Sequence, residues 1–205
     1  YCAGCWLGGI DGLDELFRER QKLIDTIPDT IYCQASVPGN FILIAGDLEE
    51  FDEKFEEAVQ QIYDYKIEDH HFKYPYCIIA YARVFQLEKA TTLDEKRKYK
   101  KLYQKAISDL KKRASVPVWK CHLKIAQAAY YRIEKEFEKS WICLKDGEHL
   151  ANIEHCRIGK FMASRERARI ERDSGNHERA IKEANYALEF AIQNGYVNRV
   201  RQVRR

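Results

Sequence analysis

A chain of 205 residues, 45% hydrophobic and 33% charged, is long enough for one domain with a real core or for about five helical hairpins, and is too apolar to be disordered. Only 4 prolines and 10 glycines argue against a loop-rich chain, no stretch nears the ~20 continuous apolar residues of a membrane span, and the short apolar opening lacks the basic leader of a secretory signal. The formal charge of +3 conceals two poles: residues 1–78 hold 6 Lys and Arg against 16 Asp and Glu, and the remainder 29 against 16. Such asymmetry favours head-to-tail self-association or an oppositely charged partner.

Residues 11–27 read as an amphipathic helix with Leu13, Leu16, Phe17, Leu23 and Ile24 on one face, ended by Pro28. Residues 29–40, with Pro38 and Gly39, read as an irregular connector, and Phe41–Ala45 as a short strand or a helix end. Glu49–Tyr65 is a helix by the spacing of Phe51, Phe55, Val59 and Ile62. A loop carrying Pro75 is expected over His70–Tyr76, then a helix over Cys77–Leu87. Thr91 and Thr92 offer an N-cap for a helix over 93–113, buried through Tyr99, Leu102, Tyr103, Ala106 and Leu110. After Pro117 the alternation becomes regular: helices at 118–133, 136–151, 156–173 and 177–194, and another from 196.

That regularity is a repeat of forty residues. Ala128, Tyr131, Phe137, Ser140, Leu144 and Gly147 fall opposite Ala168, Glu171, His177, Ala180, Ala184 and Ala187. Each copy is a helix, a short turn and a second helix with small residues three to four apart, the mark of a helical solenoid. Gly175-Asn176-His177-Glu178-Arg179-Ala180-Ile181, continuing through Ala184, Ala187 and Leu188, resembles the turn and second helix of the tetratricopeptide repeat. Gly46-Asp47-Leu48-Glu49-Glu50-Phe51, with Phe55 and Ala58, looks like the same turn and helix. The resemblance is good over 118–195, partial over 40–115 and poor before 40. A second helix ending on Gly195 looks like the long repeats of kinesin light chains and of the sensor arms of large signal-transduction ATPases.

The expectation is therefore an all-α, right-handed solenoid of antiparallel hairpins. Residues 1–40 form a cap or degenerate repeat, 41–115 two irregular helix pairs, and 116–205 two repeats plus the first helix of a third. Tyr1 as first residue, Met162 as the only methionine and the unpartnered last segment read as a portion of a longer protein.

The most suggestive side chains are arginines. Arg165, Arg169 and Arg172 are spaced i, i+4 and i+7 and share one helix face. The resemblance implies that this face lines a concave groove, with Arg132 in the matching place one repeat earlier and Arg201 and Arg205 continuing the row. Guanidinium rows bind carboxylates or phosphates through forked hydrogen bonds. No Asn shares the face, which argues against the carboxylate clamp of chaperone-binding relatives. RNA is the other candidate for a basic groove, but a pI near 8.4 falls short of a strongly basic footprint.

Catalytic and metal signals are weak. Cys2 and Cys5 have the spacing of a redox pair or half a zinc site, with nothing to complete either. His149, His155 and Cys156 straddle a helix break, Gly8–Gly12 lacks the lysine of a phosphate loop, and no nucleophile, base and acid fall together. Seven dispersed cysteines without a secretory signal fit a reducing, cytoplasmic setting, and Cys77, Cys121 and Cys143 read as small buried hydrophobes. The sequence thus points to a non-catalytic protein-interaction scaffold without cofactor, metal or membrane contact, binding a protein or acidic peptide. The alternatives are a sensor or autoinhibitory arm of a multidomain ATPase, and an RNA- or anion-binding groove.

Overall fold

The computed structural model describes residues 31–65 and 73–204, and these are all-α: helices joined by short turns, with no strand among them. The helices are α1 (Ile31–Leu48), α2 (Glu53–Tyr65), α3 (Lys73–Lys89), α4 (Leu93–Arg113), α5 (Pro117–Ile133), α6 (Phe137–Ile153), α7 (Arg157–Asp173), α8 (His177–Gln193) and α9 (Val197–Arg204). The helix expected over 11–27, the Cys2/Cys5 pair, the Gly8–Gly12 segment, His70 and Arg205 lie outside the described residues.

From α5 onward, a helix begins every 20 residues, at Pro117, Phe137, Arg157, His177 and Val197. One turn design produces this. Lys135, His155, Gly175 and Gly195 each sit at positive φ, at 65°, 50°, 86° and 70°. The next residue's N–H then reaches back five residues: Glu136 to the Tyr131 carbonyl, Cys156 to Ala151, Asn176 to Glu171 and Tyr196 to Ala191, all at 2.8–2.9 Å. This is the Schellman closure, which satisfies the carbonyls orphaned at a helix end and reverses the chain in three residues.

Three expectations are corrected in the N-terminal half. Residues 31–40 are helical, not an irregular connector, and α1 runs through Pro38. An interior proline costs ~3 kcal/mol, but α1 is wedged between α2, α3 and α9 and fully or nearly fully buries Ala35, Ile42, Leu43 and Ala45. At ~25 cal/mol per Å² of apolar surface, that burial offsets the proline. The turn expected at Gly46-Asp47 lies three residues later, where Glu49 takes φ 57° and Glu50 N–H reaches the Ala45 carbonyl at 3.0 Å. Gly46 instead lies inside α1, against α3: a Cβ there would stand 2.5 Å from Ile78 Cγ2. Helix α3 likewise starts at Lys73, within the expected His70–Tyr76 loop. Its Pro75 occupies the first turn, where the amide has no helical acceptor to lose.

Packing follows two rules. Consecutive helices pair (α1 with α2, α3 with α4, α5 with α6, α7 with α8), and the odd-numbered helices also touch in succession, α1–α3–α5–α7. Small residues allow the approach: Ser140, Gly147 and Ala151 of α6 and Ala180, Ala187 and Ala191 of α8 are buried. A Cβ on Gly147 would lie 2.8 Å from Ile125 Cγ1 of α5. Helix α9 departs from the linear order. It packs on α8 and also returns to α1, where Arg199 bonds Asp47 and Gln202 Nε2 donates to the carbonyls of Gly46 and Asp47 at 3.2 and 2.9 Å. Among the described residues, no helix is long and apolar enough to cross a membrane.

Candidate functional site

A groove of about 490 Å³ is bounded by the end of α3 (Phe85, Glu88, Lys89), one face of α7 (Arg165, Ala168, Arg169, Arg172), the start of α8 (His177, Ala180, Ile181, Ala184) and α9 (Gln202, Val203). Its volume is that of a site for a small ligand or for a few residues of a peptide. Because α7 and α8 reverse through a three-residue turn, the arginine face of one and the small-residue face of the other open into the same space.

The arginines expected to form a row divide into framework and rim. Arg132 does not line the groove. It is 2% exposed, and its Nε donates to Glu166 Oε1 at 2.6 Å while its Nη1 donates to Asp173 Oδ2 at 2.6 Å and to Glu88 Oε1 at 3.0 Å. Burial works against its charge, but the carboxylates, led by Glu166 and Glu88, outweigh that and hold the guanidinium firmly protonated. Arg165 lies at the groove floor, also buried. It pairs with Glu49 at 2.6 Å and donates to the Gln202 carbonyl at 3.3 Å. Burial, reinforced by Arg169, brings it down to about 10.

Arg169 and Arg172 are the cations that face the open space. Arg169 Nη1 is 3.8 Å from both Glu88 and Glu166, at distances that leave its hydrogen-bond donors unsaturated. Arg172 is half-exposed, donates from Nε to Asp173 at 2.8 Å and lies 3.7 Å from Glu88. Burial pushes the Glu88 carboxyl up, but Arg132, Arg169 and Arg172 together outweigh it and hold it below the ordinary range. Arg201 is exposed on α9 and does not line the groove.

Sequence reasoning missed Lys89, Glu88, Ile181 and Val203. Lys89 is exposed at the end of α3, with its ammonium 5.7 Å from the centre of the Phe85 ring. Ile181 is 62% exposed at the groove's edge. Its position one residue after the buried Ala180 marks it as the outward apolar member of α8, a signal visible in the helical period alone. Four cations, Lys89, Arg165, Arg169 and Arg172, thus meet two carboxylates, Glu49 and Glu88, around an apolar surface of Phe85, Ala168, Ile181, Ala184 and Val203.

Among the described residues, no group of three or more His, Cys, Asp or Glu side chains is placed to hold a metal ion. His149 and His155 are exposed, while Cys156 is buried and turned toward His122. Set against family models, curated proteins and solved structures, the chain matches none of them.

Proposed function

We propose that this chain is a non-catalytic interaction module, a right-handed stack of tetratricopeptide-like helix pairs whose groove receives a short acidic peptide bearing an aliphatic side chain. One observation carries the reading: the unsaturated guanidiniums of Arg169 and Arg172 and the ammonium of Lys89 rim the same 490 Å³ groove whose walls include Ile181, Val203 and Phe85. Forked cations select carboxylates, and the adjoining apolar wall supplies the burial that ionic contacts in water do not. The 20-residue helix spacing and the shared turn support the repeat assignment.

The test is a fluorescence-polarisation panel of labelled dodecapeptides, graded from neutral to acidic, with and without a central Leu. Acidic Leu-containing peptides are expected to bind best. Lys89→Glu with Arg172→Glu should weaken them at least about tenfold while leaving the melting temperature unchanged, and Ile181→Ser should weaken only those that carry Leu. Equal binding of neutral and acidic peptides would refute the reading. So would preferential binding of single-stranded RNA with a steep loss on adding salt, the signature of phosphate contacts.

A further inference from the structure

Away from the groove, at the contact of α3, α5 and α7, two cysteines, a histidine and a tyrosine are in register. Cys156 is the N-cap of α7, and its sulfur accepts the Gly159 N–H at 3.3 Å. His122 Nε2 lies 3.8 Å from that sulfur. The other ring nitrogen of His122 is 3.0 Å from the Tyr81 hydroxyl, which also donates to the His122 carbonyl at 3.3 Å. Cys121, adjacent to His122 on α5, supplies the second sulfur. Both sulfurs crowd Gly159: a Cβ there would lie 2.7 Å from Cys121 Sγ and 3.2 Å from Cys156 Sγ. Any side chain at this position would be forced against both.

The two thiols are chemically unequal. The neighbouring Cys121 thiol, helped by His122 and the Gly159 amide and opposed by burial, holds the Cys156 thiol below the ordinary cysteine range. The same contact, with burial, pushes Cys121 up. Burial, with a smaller push from Cys156, raises Cys77, and burial leads the rise at half-buried Cys143. A helix N-terminus, a histidine and a thiol donor are the surroundings that make a nucleophilic thiolate. Cys156 also keeps 8% exposure, beside the exposed His155 of the α6–α7 turn.

We propose that Cys156 and Cys121 are a peroxide-responsive dithiol, in which hydrogen peroxide oxidises Cys156 and Cys121 then closes a disulfide joining α5 to α7. In the first step the Cys156 thiolate, its proton passed to His122, attacks one peroxide oxygen and the O–O bond breaks. The departing hydroxide recovers the proton from His122 as water, leaving Cys156 as a sulfenic acid. In the second step the Cys121 sulfur attacks the Cys156 sulfur, the S–O bond breaks, and the hydroxide leaves with the Cys121 proton as a second water. Two thiols lose two electrons and one peroxide becomes two waters. Tyr81 acts as a positioning residue: its hydroxyl fixes the His122 ring so that Nε2 faces the sulfur.

The experiment is peptide mapping by mass spectrometry of the whole chain after graded hydrogen peroxide, with a dimedone-type probe for sulfenic acid. In the unaltered chain a Cys121–Cys156 cross-linked peptide should appear first, at least about tenfold faster than any oxidation of Cys143. Cys121→Ser should abolish the cross-link and leave a probe adduct on Cys156, and Cys156→Ser should leave Cys121 unmodified at the same dose. Tyr81→Phe should slow the first step while leaving the cross-linked product the same. Oxidation of Cys143 or Cys77 ahead of Cys156 would overturn the proposal. So would passage of Cys156 to sulfinic acid in the unaltered chain without cross-linking. Both readouts come from the unaltered chain, so they hold even where a variant fails to fold.

Discussion

Arg132 is gripped by Glu88 of α3, Glu166 of α7 and Asp173 at the end of α7, so its removal leaves three carboxylates facing one another in a largely dry space. Arg132→Ala should therefore cost about 3–5 kcal/mol in urea unfolding, the penalty of an uncompensated buried charge, whereas Arg172→Ala on the exposed rim should stay within about 0.5 kcal/mol. Equal effects would mean that the network is not the framework described here. The same contrast sorts the arginine row. The i, i+4, i+7 spacing made the shared face of Arg165, Arg169 and Arg172 legible in the sequence, because helical geometry is local. That Arg165 would be neutralised by Glu49 and capped by Gln202 was not legible, since those partners come from distant segments. A charge reversal at Arg165 tests folding; one at Arg172 or Lys89 tests binding.

Between helices, the decisive unit is the three-residue turn. Its regular recurrence after Pro117 made α5 to α9 readable to within a residue or two, through the twenty-residue step and the glycines of two turns. The other two place Lys135 and His155 in the left-handed region, where a Cβ costs about 1–2 kcal/mol. Lys135 is exposed and no ion pair among the described residues engages it, so Lys135→Gly should stabilise the fold by about 1 kcal/mol, read as a higher urea midpoint. A lower midpoint would show that the lysine side chain holds the turn. Helix α1 escaped the same reading for a physical reason. Pro38, Gly39 and a nearly unbroken apolar run deny it both propensity and periodicity, and its helicity comes from burial on several sides by helices far away in sequence.

Across the molecule, opposed proton affinities set the response to acid. Burial pushes Glu88, Asp173 and Glu56 up, but their arginine neighbours outweigh it and hold all three below their ordinary values. The folded state binds these protons less readily than the unfolded chain. The stability they contribute is present above their ordinary values, 4.5 for Glu and 3.8 for Asp, and is lost as pH falls through the lowered ones. Asp47 runs the other way: burial, only partly countered by Arg199, lifts it to about 6. Between 6 and 3.8 the folded state takes up a proton that the unfolded chain does not, so acidification there adds stability. Measured against Asp47→Asn, the unaltered chain should gain in urea midpoint from pH 7 to pH 5, and both should fall steeply below about pH 4. Parallel pH profiles for the two chains would refute the assignment. Asp47 and Glu49 also bring the acidic pole of the sequence against Arg199 and Arg165 of the basic pole within one chain.

The return of α9 to α1 bears on the order in which the chain assembles. Arg199 and Asp47 are 152 residues apart, whereas each helix pair is closed by a turn of a few residues. Loop closure disfavours such distant contacts early in folding. The hairpins therefore condense first and the seam between the two ends sets last, outside the folding nucleus. An interaction made after the transition state leaves the folding rate alone and slows unfolding. The Arg199–Asp47 seam is thus a lock on escape from the native state, with little part in reaching it.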